Sequence, residues 1–166
     1  MSSETDLIAE PLNRNHNRTV FNCGIESLDR YLKHQAGQDI KRRISRVFVV
    51  CSHQEQTKAL GYYTLSTLSI DLSALPEKLA KQLPKHPIPA ALIGRLAIDI
   101  SAQGEGIGKI LLSNAIKRTL AVSDDIAIYA IVVDAINKEA KSFYLQYGFT
   151  NLASNDNRLF LPLKSF

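Results

Sequence analysis

Apolar residues recur along this chain with two alternating periods, one typical of strands and the other of helices. Four apolar residues at helical spacing, from Ile25 to Ala36, predict a helix over 25–38. The segments 46–52 and 59–70 are rich in β-branched and aromatic residues, as strands usually are. The first half of the chain therefore predicts strands that alternate with a helix.

The second half of the chain continues this alternation. A nearly all-apolar run at 125–133 predicts a strand that is buried on both faces of a sheet. Helices are predicted at 106–122 and 138–147, and Gly148 is placed to end the second of them. Further strands are predicted at 7–11, 93–100, 149–152 and 158–163, and a proline-interrupted connection with a short helical stretch at 76–83 spans 71–89. The predicted fold class is α+β or α/β, with a mixed central β-sheet flanked by helices.

Length and composition narrow the class of protein. The 166 residues predict a single domain, 1–166, large enough to bury a core. The 20 basic and 16 acidic residues give a net charge of +4, too small by itself to predict a nucleic-acid partner. The two cysteines cannot form a disulfide framework and the histidines lack metal-binding spacing, so no metal is predicted. There is no signal-peptide pattern and no long apolar run, which predicts a cytoplasmic protein without membrane contact.

A glycine-rich turn between a predicted strand and a predicted helix is the most informative segment. Gly104, Gly106 and Gly108 remove side chains at alternate positions, where the backbone can approach a ligand closely. The free N–H groups and the dipole at the start of the helix favour an anion of pyrophosphate size. The spacing fits neither a Walker A loop, which needs glycine at Gln103, nor a dinucleotide fingerprint, which needs glycine at Lys109. A turn without a ligand is the alternative.

Two motifs resemble those of the GNAT N-acetyltransferases. The run Gln-x-x-Gly-x-Gly at 103–108 resembles their acyl-coenzyme A signature, and Asn-x-x-Ala-x-x-Phe-Tyr-x-x-x-Gly-Phe at 137–149 resembles their later motif. Segments between about Pro11 and Pro162 are similar to the toxin branch of that family, found in type II toxin–antitoxin modules. The resemblance implies the GNAT fold, acetyl-CoA as the acetyl donor, and acetylation of the α-amine of aminoacyl-tRNA. It also implies a ribbon-helix-helix antitoxin and a homodimer as partners.

The resemblance implies a cofactor site and one catalytic residue. Tyr144 matches the family's general acid, since a phenol with a pKa near 10 is protonated at neutral pH. Its helical stripe alone would also suit a core aromatic residue, the role expected of Tyr147. Asp99 and Glu105 flank the turn, but neither is assigned as a general base. The cofactor-binding residues implied are Leu96, Ala97, Ile98, Gln103, Gly104, Glu105, Gly106, Ile107, Gly108, Lys109 and Asn137.

A basic stretch lies between positions 30 and 46. It holds six basic residues against one acid, Asp39, and so carries more positive charge than the chain as a whole. Such a block suits the phosphates of a tRNA acceptor stem and predicts salt-dependent binding, although a solvated surface is the alternative. Aromatic residues do not interleave with it, so backbone contacts are expected rather than base stacking. The predicted tRNA-binding residues are Arg30, Lys33, Lys41, Arg42, Arg43, Arg46 and Arg95. Arg95 lies outside the basic stretch, and the cofactor pocket is the alternative location for its side chain.

Two other functions fit parts of this pattern. One is a GNAT enzyme that acetylates a small amine, an antibiotic or a protein N-terminus. The other belongs to a different class, a catalytically silent module that binds coenzyme A or RNA. The basic block argues against the first alternative, and the retained turn with Tyr144 argues against the second.

Overall fold

A computed structural model describes residues 6–152 and 155–166. The strands are β1 Leu7–Pro11, β2 Arg46–Ser52, β3 Gly61–Ile70, β4 Ile88–Ile93, β5 Leu96–Ile98, β6 Ala130–Asp134, β7 Thr150–Leu152 and β8 Asn155–Pro162. The α-helices are α1 Glu26–Arg30, α2 Ala36–Lys41, α3 Glu77–Ala80, α4 Ile107–Val122 and α5 Lys138–Gln146, and a π-helical turn, Tyr31–Gln35, joins α1 to α2. In the described ranges, no helix has both the length and the apolar character needed to cross a bilayer.

The first of two compact units comprises residues up to Ser66 together with 95–117. Its strands β1, β2 and β3 pair antiparallel in that order, and β5 pairs antiparallel with β3. The helical segment between β1 and β2 buries apolar side chains such as Leu28 and Leu32 against Phe21 and Tyr62. This packing fixes the helical segment on its strands by burial of apolar surface.

The second unit comprises 67–94 and 118–166. Its strand β6 pairs parallel with β4 and antiparallel with β8, and β7 pairs antiparallel with β8. The sheet is therefore mixed. Residues 130–133 of β6 are all fully buried, which confirms the burial predicted from the apolar run. Gly148 follows α5 with a φ of +93°, as predicted for the residue that ends this helix.

Strand β4 was missed by the sequence analysis, and the single strand predicted at 93–100 is wrong. The prolines of this region predicted a connection, but the ladder between β4 and β6 begins at Ala90, directly after Pro89. Neither Pro87 nor Pro89 therefore has to donate a hydrogen bond in the ladder with β6. The chain then breaks at Gly94 and Arg95 before β5 begins, so 93–100 holds the end of one strand and the whole of another.

Several other predicted bounds shift. The helix predicted at 25–38 continues to Lys41 through the π-helical turn. The strand predicted from Asp125 begins only at Ala130. In the described ranges, the ladder with β4 begins at Ala130 and does not extend back to Ile126, which is 66% exposed. Val122, predicted on the buried side of α4, is 46% exposed. The last strand begins at Asn155 rather than Arg158, because it pairs with β7 as well as β6.

Gly61 lets three elements of the first unit meet closely. A Cβ at this position would lie 2.9 Å from the carbonyl oxygen of Ala97 in β5 and 2.9 Å from Leu111 in α4. Real side chains do not approach this closely, so any other residue would push β5 or α4 away. The position of β5 on β3 therefore depends on this glycine.

Tyr129 carries a buried hydroxyl group that has no hydrogen-bond partner in the described ranges. A buried polar group without a partner costs about 1–3 kcal/mol of stability. We expect Tyr129→Phe to raise the free energy of unfolding by about 1 kcal/mol, since the ring stays and only the unpaired oxygen is lost. Urea denaturation of both proteins would measure this, and a less stable variant would contradict it.

Candidate active site

The free edge of β5 presents backbone groups to a ligand. Arg95 accepts a hydrogen bond from Thr64 N–H, and Asp99 N–H donates to Leu60, so both residues face β3. Backbone groups alternate along an antiparallel strand, which turns Ala97 toward β3 and turns Leu96 and Ile98 away from it. The carboxamide Nε2 of Gln103 donates a hydrogen bond to the carbonyl oxygen of Ile98, at 2.9 Å. The N–H groups of Leu96 and Ile98 are the ones turned away from β3.

The turn after β5 is a run of backbone donors. In the described part of the chain, no N–H group from 103 to 109 finds an acceptor, and the first bond of α4 runs from Ile110 to Gly106. Gly104 and Gly106 have φ values of +83° and +81°, which side chains rarely adopt. A Cβ at either position would meet no protein atom within 4 Å. Open space beside unpaired N–H groups at a helix start is what a pyrophosphate requires.

Asp99 and Gln103 hold this turn in place. The carboxylate of Asp99 is buried and accepts hydrogen bonds from the backbone N–H of Asn22 at 2.9 Å and from Ser101. Burial raises the pKa of Asp99, but the hydrogen bonds from Ser101 and Asn22 outweigh it and lower that pKa below its usual value. Gln103 also donates to the carbonyl of Cys23, at 3.0 Å. Their side chains therefore tie the turn to 22–23 instead of reaching for a ligand.

Tyr144 lies on α5 in the second unit. Its residue is 3% exposed, and its ring packs against Phe143 and Phe149 with centroid distances of 5.3 and 5.6 Å. Burial, and then the charge of Asp134, raises the pKa of Tyr144 above its usual value. Its hydroxyl makes no hydrogen bond to the described residues. The phenol therefore keeps its proton and does not donate it to a protein acceptor. Tyr147, one turn further on, packs against Phe143 at 5.1 Å.

Asn137 has a structural task in addition to the predicted one. Its Oδ1 accepts the N–H of Ala140 at 2.8 Å and so caps the first turn of α5. The side chain is exposed, and its Nδ2 donates no hydrogen bond within the described residues. The amide can therefore donate to a ligand while its oxygen caps the helix.

The basic residues fall into two groups within the first unit. Arg30 and Lys33 line a groove of about 460 Å³ beside α1, where Arg30 already forms an ion pair with Glu26. The second group lies at the end of α2, in the turn that follows it and at the start of β2, and its members are exposed. That group is Lys41, Arg42, Arg43 and Arg46.

Comparisons with known proteins decide the family. A model of the acetyltransferase (GNAT) domain matches residues 87–161. The probable toxin TacT of Sinorhizobium fredii is 34% identical over 165 residues, 94% of this chain and 91% of that protein. The tRNA-acetylating toxin of Mycobacterium tuberculosis is 34% identical over 146 residues, 88% of this chain and 86% of that protein. The chain belongs to the tRNA-acetylating toxins of the GNAT family.

Solved structures agree with this assignment. AtaT complexed with acetyl-methionyl-tRNAfMet superposes with a TM-score of 0.89 at 34% identity, covering 96% of each chain. An AtaT tyrosine-to-phenylalanine mutant bound to acetyl-CoA and the C-terminus of the antitoxin AtaR gives a TM-score of 0.82 at 31% identity, over 96% of this chain and 95% of that chain. The predicted fold class and the predicted enzyme class, a GNAT acetyltransferase, are confirmed.

A network that sequence reasoning missed surrounds Arg95 of this GNAT acetyltransferase. The guanidinium lies over the ring of Tyr31, with Cζ 3.6 Å from the ring centroid. The hydroxyl of Tyr31 donates to Asp39 at 2.8 Å, and Gln35 donates to the other carboxylate oxygen at 2.9 Å. Arg95 is more than 50 residues from these partners along the chain. No local pattern in the sequence reports such a contact.

A second cluster brings together Glu10, His16 and Cys51, whose ligand-capable atoms all lie within 4.8 Å of one another. The N–H of Asn13 donates to His16 Nδ1 at 3.0 Å, so Nε2 carries the proton and donates to Glu10 at 2.8 Å. A metal on Nε2 would move that proton to Nδ1, against the N–H of Asn13. Burial and the charge of Glu10 also raise the pKa of Cys51 to about 11. The cluster therefore fits a hydrogen-bonded tie between β1 and β2 better than a metal site.

Proposed function

We propose that this chain transfers an acetyl group from acetyl-CoA to the α-amine of aminoacyl-tRNA and so blocks translation. The observation that carries the proposal is the run of unpaired N–H groups at 103–109, beside open space at Gly104 and Gly106. The relatives support the acceptor, since one is named for tRNA acetylation and another is bound to an acetylated aminoacyl-tRNA.

The residues present fit acetyl-CoA. The N–H groups of the turn would hold its pyrophosphate, and the N–H groups of Leu96 and Ile98 would hold the pantetheine arm and the acyl oxygen. Asn137 Nδ2 would donate to the pantetheine. When bound, acetyl-CoA supplies a thioester whose acetyl group an amine can attack.

Two groups of the reaction exchange protons, the phenol of Tyr144 and the α-amine of the acceptor. The phenol of Tyr144 stays protonated at neutral pH because its pKa lies above the usual value. Its Oη would give that proton to the sulfur as the C–S bond breaks. The proton that the amine nitrogen loses as the amide bond forms would pass to solvent water, from which the phenolate would regain its own proton. An α-amine has a pKa near 8, so a substantial fraction is neutral near pH 7 without a general base. This favours an aminoacyl ester over the amine of a lysine side chain, whose pKa is about 10.4.

The proposed partners follow from the same branch of the family. We expect a ribbon-helix-helix antitoxin to neutralise the toxin, as the family resemblance implies. An antitoxin partner as such is supported by a mutant of AtaT bound to the C-terminus of the antitoxin AtaR. We also expect a homodimer, and a cytoplasmic location, where charged tRNA is found.

The proposal is tested by mass spectrometry of total tRNA, charged with each amino acid in turn and incubated with the protein and labelled acetyl-CoA. Label on the α-amine of the aminoacyl group is expected. Label only on free amines or on protein N-termini would replace the proposal with the broader GNAT alternative. If no label reaches aminoacyl-tRNA, free amines or protein N-termini, the result would contradict enzymatic activity.

The turn after α2 allows a sharper test of the RNA surface. Ile44 N–H bonds to the carbonyl of Asp39 and Arg43 N–H to that of Ile40, which is the Schellman pattern that ends a helix. Arg43 holds the left-handed position of this motif, with a φ of +60°, where glycine is usual. An exposed arginine therefore occupies a position that strains its backbone, which suggests a role for its charge.

We expect Arg43→Gly to have opposite effects on stability and on RNA binding. Relief of the left-handed strain raises the free energy of unfolding by about 1 kcal/mol. Loss of one phosphate contact weakens tRNA binding and lowers the slope of log affinity against log salt by about 1. Lys41→Ala is the matched control, because it removes a charge without relieving strain. Unchanged tRNA affinity in Arg43→Gly would remove this residue from the RNA surface.

A further inference from the structure

Contacts fix both the backbone and the side chain of Arg95. Its N–H donates to Thr64 Oγ1 and its carbonyl accepts the N–H of Thr64, each at 3.0 Å. Its guanidinium lies over the Tyr31 ring, a cation–π contact worth about 0.5–2 kcal/mol, depending on exposure. The side chain is thus fixed in direction before any ligand arrives.

The ring under Arg95 is itself anchored. Tyr31 is 5% exposed and stacks on Tyr62, and its hydroxyl donates to the buried carboxylate of Asp39. A hydrogen bond from Gln35, then one from Tyr31, with the charges of Arg95 and Arg42, hold the pKa of Asp39 below its usual value despite burial. Asp39 is therefore ionised, and both of its oxygens are occupied by neutral donors.

The guanidinium N–H groups of Arg95 nevertheless have no acceptor among the described residues. In the ranges that the structure describes, its guanidinium forms no ion pair within 4.0 Å and no hydrogen bond, although the residue is half-buried. Two other arginines of the chain are paired: Arg158 gives two hydrogen bonds to Asp134, and Arg30 pairs with Glu26. A fixed fork of N–H donors without an acceptor matches an oxyanion that can accept two parallel hydrogen bonds, such as a phosphate.

We propose that Arg95 is the receptor for a phosphodiester in the unpaired 3′ end of the charged RNA, and that Tyr31, Gln35 and Asp39 position it. The inference rests on the proposed function and names a contact within it. Arg95 directly precedes Leu96, whose N–H faces the free edge of β5. A phosphate bound at Arg95 would bring the end of the RNA, and the amino acid attached to it, to the start of that edge.

The test uses binding without acetyl transfer. The probes are two uncharged RNA hairpins with an unpaired 3′ end, one with natural phosphodiesters in that end and one with neutral methylphosphonates. Wild-type protein is expected to bind the natural probe about tenfold more tightly, the scale of a charged hydrogen-bonded pair. Arg95→Met should lose that factor and bind both probes equally. Arg95→Lys should keep only part of the discrimination, because a point charge lacks the planar fork.

The positioning role has its own readout. Tyr31→Phe keeps the ring under Arg95 but removes the hydroxyl that donates to Asp39, so it should reduce the discrimination between the probes while leaving the charge of Arg95 in place. Arg14→Met is the matched control, since Arg14 is exposed and, within the described ranges, makes no hydrogen bond or ion pair with these residues. This variant should retain the full discrimination. Thermal melting of each variant separates a binding effect from unfolding.

Two results would overturn the assignment. One is an Arg95→Met protein that still discriminates between the probes as the wild type does, and the other is a wild type that does not discriminate. If Arg95→Met instead weakens acetyl-CoA in a calorimetric titration and leaves RNA binding intact, the arginine serves the cofactor. Acetylation of charged tRNA by the wild type is measured separately, so failure of this inference is distinguishable from failure of the proposed function.

Discussion

Tyr144→Phe should lower the turnover of aminoacyl-tRNA acetylation by roughly 100-fold or more, the scale of a lost general acid. The substitution removes only the hydroxyl, and that oxygen makes no hydrogen bond to the described residues, so the ring packing against Phe143 and Phe149 remains. Acetyl-CoA affinity and thermal stability should therefore stay close to those of the wild type. Single-turnover kinetics with labelled acetyl-CoA would measure the change.

Tyr147→Phe is the matched control for this prediction. Tyr147 lies on the same helix stripe and contacts Phe143, but it is assigned a packing role. Its variant should retain turnover within a few-fold of the wild type. Near-wild-type turnover in Tyr144→Phe would remove Tyr144 from the mechanism, whatever the control shows.

The pH dependence of the wild type separates the two proton carriers. The rate should rise with pH up to about 8 as the α-amine of the acceptor loses its proton. The raised pKa of Tyr144 keeps the phenol protonated beyond that range, so no fall in rate from this group is expected below about pH 10. A fall between pH 7 and pH 9 with a stable protein would mean that another group supplies the proton.

Gly106→Ala should weaken acetyl-CoA binding by more than about tenfold, because a methyl group would enter the space beside the unpaired N–H groups and disturb their geometry. The φ of +81° adds strain of about 1–2 kcal/mol to any side chain at this position. Calorimetric titration with acetyl-CoA and urea denaturation would measure the two effects separately.

Gly148→Ala is the control for backbone strain alone. Gly148 has a φ of +93° and ordinary space for a Cβ, but it lies outside the proposed cofactor turn. It should lose stability by a similar amount and bind acetyl-CoA as the wild type does. Equal loss of cofactor affinity in both variants would show that strain, and not the turn, explains the result.

Periodicity and turn residues predicted most of the fold because they act locally. The all-apolar segment of β6 and the glycine after α5 needed no tertiary information. Strand β4 escaped prediction because Pro87 and Pro89 look like breakers, and only the register with β6 shows that no proline sits in the ladder. The split at Gly94 and Arg95 was missed for the same reason, since β5 is defined by its pairing with β3.

Part of the candidate site was likewise predictable from the sequence, and part is visible only in the structure. The glycine turn and Tyr144 were predicted because the spacing of the motifs is visible in the sequence. The prediction treated Leu96, Ala97 and Ile98 alike, and only the register shows that Ala97 faces β3. Gln103 was predicted as a ligand contact, yet its carboxamide is bonded to Cys23 and Ile98. Contacts between residues far apart in sequence, such as Arg95 over Tyr31, leave no periodic signal.

A crystal structure of the protein with acetyl-CoA tests the central claim most directly, namely that backbone N–H groups after and along β5 hold the cofactor. We predict the pyrophosphate within hydrogen-bonding distance of the N–H groups at 104–109, and the pantetheine along the edge formed by Leu96 and Ile98. A cofactor bound elsewhere on the chain, or a turn whose N–H groups stay unpaired in the complex, would contradict the account.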